Sequence, residues 1–391
     1  MNILAISHIL PIPEVIKDND FVFEIYRAYQ ALYPGDKVVI IKPVKINLNL
    51  ITFLKGKSRL KMIGKKSWSI QNFQVEIYPF ISVWGFRNIH SIVTKSIYYI
   101  NRKRMNRLFS DYAFDVIHAQ FIFSDGQLAR VLSKKYHIPY LITTHHEKFY
   151  FGHNISKRIA MNILRSASIV TPINHSNYLF YQSLGLSNIS LSPLGFSKNF
   201  IRPQKLTGKG PVKILTVAGL IKLKNIDKVI LAIEKLVSKY DIHYTIIGSG
   251  PERRNLEQTV HALHLEEYVT FIDHVPHHKI ADEMHKHDIF IMPSFFETFG
   301  RVYFEAMAMG IPIICARNSG IFGIFKDKEE GIAVDHTNVE KIAAELEFLI
   351  VHEDERVRMG MRGKVLVENY TWENIAKDLH MKYSNSIAEM R

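Results

Sequence analysis

A chain of 391 residues that is 47% hydrophobic and 22% charged is too long for one small core and too apolar for a disordered segment, so two globular domains are expected. The net charge of +13 is uneven: residues 1–206 hold 27 Lys and Arg against 10 Asp and Glu, leaving 23 against 27 for the rest, and the basic half calls for an acidic partner. No run of eighteen uncharged apolar residues argues for a spanning helix, and the single cysteine, Cys315 in the apolar run IPIICA, permits no intrachain disulfide and fits a reducing compartment.

In chain order, residues 2–7 read as a first strand rather than a signal peptide, because no basic region precedes the apolar residues. A loop over 8–20, with Pro11, Pro13 and Asn19, leads to a helix over about 21–32 and a second strand over 38–41. Residues 47–71 read as the least ordered part. There Leu50, Phe53, Leu60 and Trp68 interleave with Lys55, Lys57, Arg59, Lys61, Lys65 and Lys66, a pattern that suits an anionic membrane surface or, equally, an insertion with a solvated basic face. Arg102, Lys103, Arg104 and Arg107 form a second basic cluster behind the aromatic-rich stretch 92–100. No recognised nucleic-acid motif accompanies these charges, so no nucleic acid is expected as partner.

Residues 139–144 form a buried strand that delivers His145, His146 and Glu147 at its carboxyl end, and 167–171 form another. Residues 203–211, PQKLTGKGP after the leading Arg202, supply proline, glycine and polar side chains without periodicity and serve as the linker. Strands follow over 213–217, 244–247, 269–274 and 331–334. Gly248 and Gly250 form a turn before a helix opened by Pro251, and glycines there let backbone approach a ligand. Trp372 and residues 375–390 close the chain as a helix.

The stretch 289–312, IFIMPSFFETFGRVYFEAMAMGIP, changes period from strand to helix, with Gly310 and Pro312 as the stop. Phe299, Gly300 and Arg301 stand at the helix start, where unpaired N–H groups favour anions. Glu297 and Glu305 flank that start, eight residues apart, about 12 Å if the rise is helical. One carboxylate at each end of an extended ligand, with a diphosphate between, describes a nucleotide sugar. Spacing alone favours the plainer description in which Glu305 faces solvent and Glu297 caps the helix.

These residues resemble the donor-site signature of the retaining glycosyltransferases of family 4: Pro293, Ser294, Glu297, Phe299, Gly300, Glu305, Ala306, Met307, Ala308, Gly310 and Pro312 are all in register. The resemblance implies an α/β chain of two Rossmann-like domains facing a cleft, the GT-B arrangement. It sets residues 1–204 as the acceptor domain, 205–374 as the nucleotide-sugar donor domain and 375–391 as a helix crossing back. It places Glu297 and His145 at the catalytic centre, Glu297 orienting the sugar and His145 donating a hydrogen bond to it. It assigns Lys224, with Lys222 beside it, to the donor diphosphate, Glu305 to the ribose, and the region of Val275 to the base.

The chain departs from the family pattern in five places. The first loop lacks the family's glycines, so no phosphate role is carried over to it. Gly219 stands where an arginine is usual, Arg301 being the candidate replacement. His146 stands for a glycine, Leu194-Gly195 for the frequent Asn-Gly, and Gly323 where a glutamate is common. His118 resembles a strand-end residue of the family and reads as structural.

The implied activity is transfer of a sugar from a nucleotide diphosphate donor, with retained anomeric configuration, to a lipid-linked or saccharide acceptor at the inner face of a membrane. No cofactor and no metal are expected, since no Asp-x-Asp sits at a plausible strand end. The alternatives are a nucleotide-sugar epimerase of the same fold, or a non-catalytic basic membrane or nucleic-acid binding protein.

Overall fold

The computed structural model describes residues 1–10, 21–47, 67–70, 73–82, 97–146, 148–152, 154–203, 210–318 and 320–390. The chain divides into two units: Met1–Ile173, Asn177–Ser192 and Ile375–Arg391 form the first, and Asn174–Ser176 with Pro193–Asn374 the second.

The first unit is built on a seven-stranded sheet in the order β3-β4-β2-β1-β5-β6-β7. Its strands are β1 (Asn2–Ile6), β2 (Lys37–Asn47), β3 (Ser67–Ile70), β4 (Phe73–Ser82), β5 (Val116–Ala119), β6 (Tyr140–Thr144) and β7 (Ile169–Pro172). All neighbours pair in parallel except β3, which runs antiparallel to β4. A parallel sheet is covered on both faces, and β1, β5 and β6 accordingly read as short apolar runs. Helix α1 (Phe21–Leu32) buries Val22, Phe23, Tyr26 and Tyr29, spaced three and four apart, against one face.

The stretch 47–71 differs from the sequence reading at its ends. β2 continues to Asn47, and β4 pairs with it over nine positions from Val39↔Gln74 to Asn47↔Ser82. The period-two alternation of Phe73, Val75 and Ile77 with Gln74 and Glu76 carries that strand, and the three apolar residues are buried. Most of the basic and apolar residues between, 48–66, lie outside the described residues, as do 11–20 of the first loop, Glu147, residues 92–96 of the aromatic-rich stretch and 204–209 of the linker. In the second basic cluster Arg104 is structural. It is paired with Glu76 at 2.8 Å, donates to the Ile77 carbonyl and lies over the Tyr78 ring.

The second unit carries a six-stranded parallel sheet, β10-β9-β8-β11-β12-β13. These are β8 (Val212–Val217), β9 (Ile242–Ile247), β10 (Val269–Ile272), β11 (Ile289–Met292), β12 (Ile313–Ala316) and β13 (Ile332–Val334). Residues 193–203 join this unit, not the first as the sequence reading had it. Phe196 and Phe200 are buried, Phe196 exchanges backbone hydrogen bonds with Tyr370 and Trp372, and Phe200 packs on His277. The closing helix, Trp372–Met390, passes to the first unit from Ile375 onward. There Ala376, Leu379 and Tyr383 complete the core under α1.

In each sheet the chain steps outward from the first strand in one direction and then returns to its other side. The strand order therefore reverses at β1/β5 in the first unit and at β8/β11 in the second. Crevices outside the carboxyl ends of strands at such reversals are where open α/β sheets bind ligands.

Candidate active site

At the reversal in the second unit, the loops after β8 and β11 are strapped together. Phe295 N–H donates to the Leu223 carbonyl at 2.8 Å, and the Asn225 side chain donates to the Pro293 carbonyl at 2.9 Å. Asn225 takes a left-handed conformation with φ 52°, which ends the short turn 222–224 and starts the helix Ile226–Glu234. That turn delivers Lys224, whose Nζ forms an ion pair with Glu297 Oε2. The other carboxylate oxygen of Glu297 accepts from the Thr298 N–H at 3.2 Å, and the Glu297 carbonyl accepts from the Gly320 N–H at 3.0 Å. Lys224 and Glu297 thus meet across 73 residues of sequence, largely shielded from water. Lys222 is exposed and takes no part in this pair.

The helix Arg301–Met307 follows, with Gly300 at φ 80° as its cap. A side chain on Gly300 would meet the Tyr303 ring at 2.6 Å and Glu297 Cγ at 3.0 Å, so glycine is required by both the backbone and the packing. Glu305 lies inside this helix and is buried, only 7% exposed, with its Oε1 at 3.4 Å from His277 Nε2. The solvent-facing description of Glu305 is therefore wrong. His277 was not singled out from the sequence, because its 28-residue separation from Glu305 carries no local signal.

Other predicted donor residues fall in different places. Phe299 is buried, edge-on to Phe304, and belongs to the core rather than to an exposed ligand surface. Arg301 lies over the Trp372 ring at 5.9 Å. Gly248 and Gly250 are held against the loop after β8: a Cβ on Gly248 would sit 1.9 Å from the Ala218 carbonyl oxygen, and one on Gly250 2.4 Å from that of Leu220. Close approach of their own chain explains both glycines. Val275, in the loop beyond β10, is half-buried. Gly323 has φ 88° and a Cβ there would lie 2.4 Å from the His175 ring, so no glutamate fits this position as the backbone stands. Gly219, by contrast, has open space where a side chain would project.

In the first unit, His145 follows β6 and is buried, flanked by the rings of Phe121 at 4.5 Å and Phe21 at 4.9 Å. Burial lowers its pKa to about 3, with smaller contributions from His8 and His118. One ring nitrogen bonds to Gln120 backbone, while Nε2 is buried without a hydrogen-bond partner. A ring that donates to a carbonyl through Nδ1 leaves Nε2 as a bare lone pair. As it stands, His145 offers an acceptor, where the sequence reading had a donor.

His118 is satisfied throughout. Its Nδ1 meets the Tyr26 and Tyr383 hydroxyls at 2.9 and 2.8 Å and its Nε2 the Thr143 hydroxyl at 2.8 Å.

Comparison with known proteins agrees with this layout. Residues 197–366 match the family model described as "Glycosyl transferases group 1". An "Uncharacterized glycosyltransferase" of Haemophilus influenzae is 25% identical over 314 residues, 77% of this chain and 86% of that protein. Among solved structures, sucrose-phosphate synthase from Thermosynechococcus elongatus superposes with a TM-score of 0.72 at 18% identity, over 99% of each chain. Anabaena HepE in complex with UDP gives a TM-score of 0.71 at 16% identity over 98% of this chain and 100% of that one. Residues 197–366 are therefore a glycosyl transferases group 1 domain, and the chain that carries them has the two-domain GT-B fold of glycosyltransferases.

Proposed function

We propose that this chain transfers a sugar from a nucleotide diphosphate donor to a lipid-linked or saccharide acceptor, with retained anomeric configuration. The Lys224–Glu297 pair at the β8/β11 reversal carries the reading, because it sets a cation and a carboxylate side by side at the place where this fold binds ligands. The lysine ammonium meets the diphosphate, whose charge grows as the bond to the sugar breaks. Glu297 accepts hydrogen bonds from the sugar hydroxyls, and Glu305, with His277 beside it, from the ribose. Because Lys224 and Glu297 neutralise each other here, the incoming donor exchanges one ion pair for two interactions. With Lys224 and the first turn of the helix Arg301–Met307 facing the phosphates, the reading needs no resident metal.

The complex of Anabaena HepE with UDP supports a nucleotide-linked donor. A charged acceptor or an anionic surface is supported by the basic amino half and by the exposed Lys157, Arg158 and Arg165 of helix Asn154–Arg165. No helix of the described residues is long and apolar enough to cross a membrane. We place the reaction at the cytoplasmic side of a membrane that presents such an acceptor.

The test is product analysis on UDP-glucose, UDP-galactose, UDP-N-acetylglucosamine and GDP-mannose, with Glu297→Ala beside the wild type. The expected result is release of nucleoside diphosphate from one donor, lost in the variant, with the α-anomer preserved in the first-formed sugar product. Conversion of a donor to an isomeric nucleotide sugar with no diphosphate released would replace this reading with an epimerase. Turnover unaffected by Glu297→Ala would remove the site from the reaction.

A further inference from the structure

On the first unit, away from the β1/β5 reversal, a cavity of about 510 Å³ lies between the helix Asn154–Arg165 and the end of the helix His175–Ser183. These helices follow β6 and β7, the last two strands at that edge of the sheet. The volume falls in the range of small-ligand sites, about 300–1,000 Å³. Every residue lining it belongs to the first unit. Its charged walls are Lys157, Arg158 and Arg165, joined by the amides of Asn154 and Asn162, and no described acidic residue lines it.

The helix sets these side chains in one stripe. It buries Ser156, Ala160, Ile163 and Leu164. At 3.6 residues per turn, Asn154, Lys157, Arg158, Asn162 and Arg165 fall within about 140° of one another on the opposite side. Met161, largely buried, and Leu184 add apolar surface to the cavity. The Ser183 hydroxyl donates to the Phe180 carbonyl at 2.7 Å, so the donors left for a ligand are the cations and the amides.

Helix stability does not account for the cations. A helix favours anions at its start and cations at its end, yet the first turn here holds no acidic residue, and Lys157 and Arg158 stand fourth and fifth in the helix. Only Arg165, in the last turn, suits the dipole. Ion pairing does not account for them either. Arg104, Arg107, Arg253, Arg317 and Arg358 each pair with a carboxylate, whereas no described carboxylate forms an ion pair with Lys157, Arg158 or Arg165. A further cation is drawn to the same end: Arg130 Nε donates to the hydroxyl of Ser166, the residue after Arg165, at 3.1 Å. Like charges gathered around one cavity repel one another, and a departure of that kind from what the fold needs marks a site kept for a ligand.

We propose that this cavity binds a phosphoryl group, on a ligand other than the sugar donor. Two guanidinium forks and an ammonium suit an oxyanion with several acceptor oxygens, the forks meeting it bidentately. A terminal phosphoryl group offers three such oxygens and up to two charges, where a lone carboxylate offers two oxygens and one charge. Two sources carry the group: a soluble phosphorylated molecule and the headgroup of an anionic lipid. The inference holds whether or not the chain transfers a sugar.

The experiment uses the full chain at fixed ionic strength. Inorganic phosphate, glycerol phosphate and acetate are titrated calorimetrically, and vesicles of phosphatidylglycerol, against phosphatidylcholine alone, are tested by co-sedimentation. The proteins are wild type, Arg158→Gln/Arg165→Gln, Lys224→Ala, and Lys239→Gln/Arg362→Gln, which removes the same charge from exposed positions of the second unit. Unfolding midpoints are measured for each, so that lost binding is not mistaken for lost fold. Wild type, Lys224→Ala and Lys239→Gln/Arg362→Gln are expected to bind phosphate more tightly than acetate, or phosphatidylglycerol in preference to phosphatidylcholine. Arg158→Gln/Arg165→Gln is expected to bind at least about tenfold more weakly, as for lost hydrogen bonds between charged groups. Binding of the soluble phosphates identifies a free ligand, and binding of the vesicles alone a lipid headgroup. Absence of binding in both arms, acetate bound as tightly as phosphate, or equal weakening in Lys239→Gln/Arg362→Gln overturns the proposal and leaves the donor site standing. A loss confined to Lys224→Ala overturns it too, and assigns the anion to the donor site.

Discussion

Two sheets of like topology place a polar pair at the same position, between the loop after the first strand and the loop after the strand on its other side. In the second unit the pair is Lys224 and Glu297; in the first it is His8 and Asp125. A lysine and a glutamate form an ion pair whose members suit the charge and hydroxyls of a ligand. Against the lowering effect of burial, the charge of a buried aspartate and its hydrogen bond raise the pKa of His8, so that pair answers to protons. The fold supplies the location, and the side chains decide its chemistry.

The comparison breaks most readily at Lys224. Lys224→Ala is expected to lower kcat/KM for the donor about 10²–10³-fold, the cost of losing one preorganised partner for the developing phosphate charge. A loss of less than threefold in steady-state kinetics would show that the second unit's pair does not serve the diphosphate.

A second prediction uses the interior histidines. His118 and His145 are held neutral by burial, with pKa values lowered to about 3, while the unfolded chain protonates near 6.5. Between those values the unfolded state binds more protons, so stability falls as pH falls. At pH 5 each contributes a loss of about 2 kcal/mol. His8 works in the opposite sense: its raised pKa adds stability below 6.5 that is lost as pH rises through the folded value. Urea unfolding at pH 7 and pH 5 should show the net loss, and His118→Phe should flatten the pH dependence. A stability that rises on acidification would contradict the neutral assignment.

Gly248→Ala sharpens the contrast between architecture and ligand contact. With φ 145° and a Cβ 1.9 Å from the Ala218 oxygen, it should destabilise the second unit by about 3 kcal/mol in thermal or chemical unfolding. An unchanged midpoint would mean that the loop has room and that the glycine is kept for another reason. The smallest effect belongs to Lys222→Ala. This exposed lysine should alter stability by less than about 0.5 kcal/mol and donor affinity by less than about threefold. A larger loss of affinity would move part of the diphosphate contact from Lys224 to Lys222.

The second unit was the more legible of the two. The run from Ile289 to Pro312 keeps strand, loop, glycine cap and helix within one window, so local pattern was enough to place Glu297 at the strand end. What that window could not show is that Phe299 turns into the core, that Glu305 is buried beside His277, or that Lys224 reaches Glu297 across 73 residues. In the first unit, α1 was legible from its spacing. β4 was missed although Phe73, Val75 and Ile77 alternate with polar residues, because the basic run before it drew the stretch into an irregular reading. His8 and Asp125 carry no motif, and only the β1/β5 adjacency brings them together. Pairs made by topology are invisible to periodicity, and both reversals hold such a pair.

Calorimetric titration of UDP-glucose, UDP-galactose, UDP-N-acetylglucosamine and GDP-mannose into wild type, Glu305→Gln and His8→Ala tests the central claim most directly. The account predicts that one of the four binds wild type and His8→Ala alike and binds Glu305→Gln at least about tenfold more weakly, as expected for a lost hydrogen bond to a charged group. Equal affinity for Glu305→Gln, or a loss of affinity confined to His8→Ala, would contradict a donor site in the second unit.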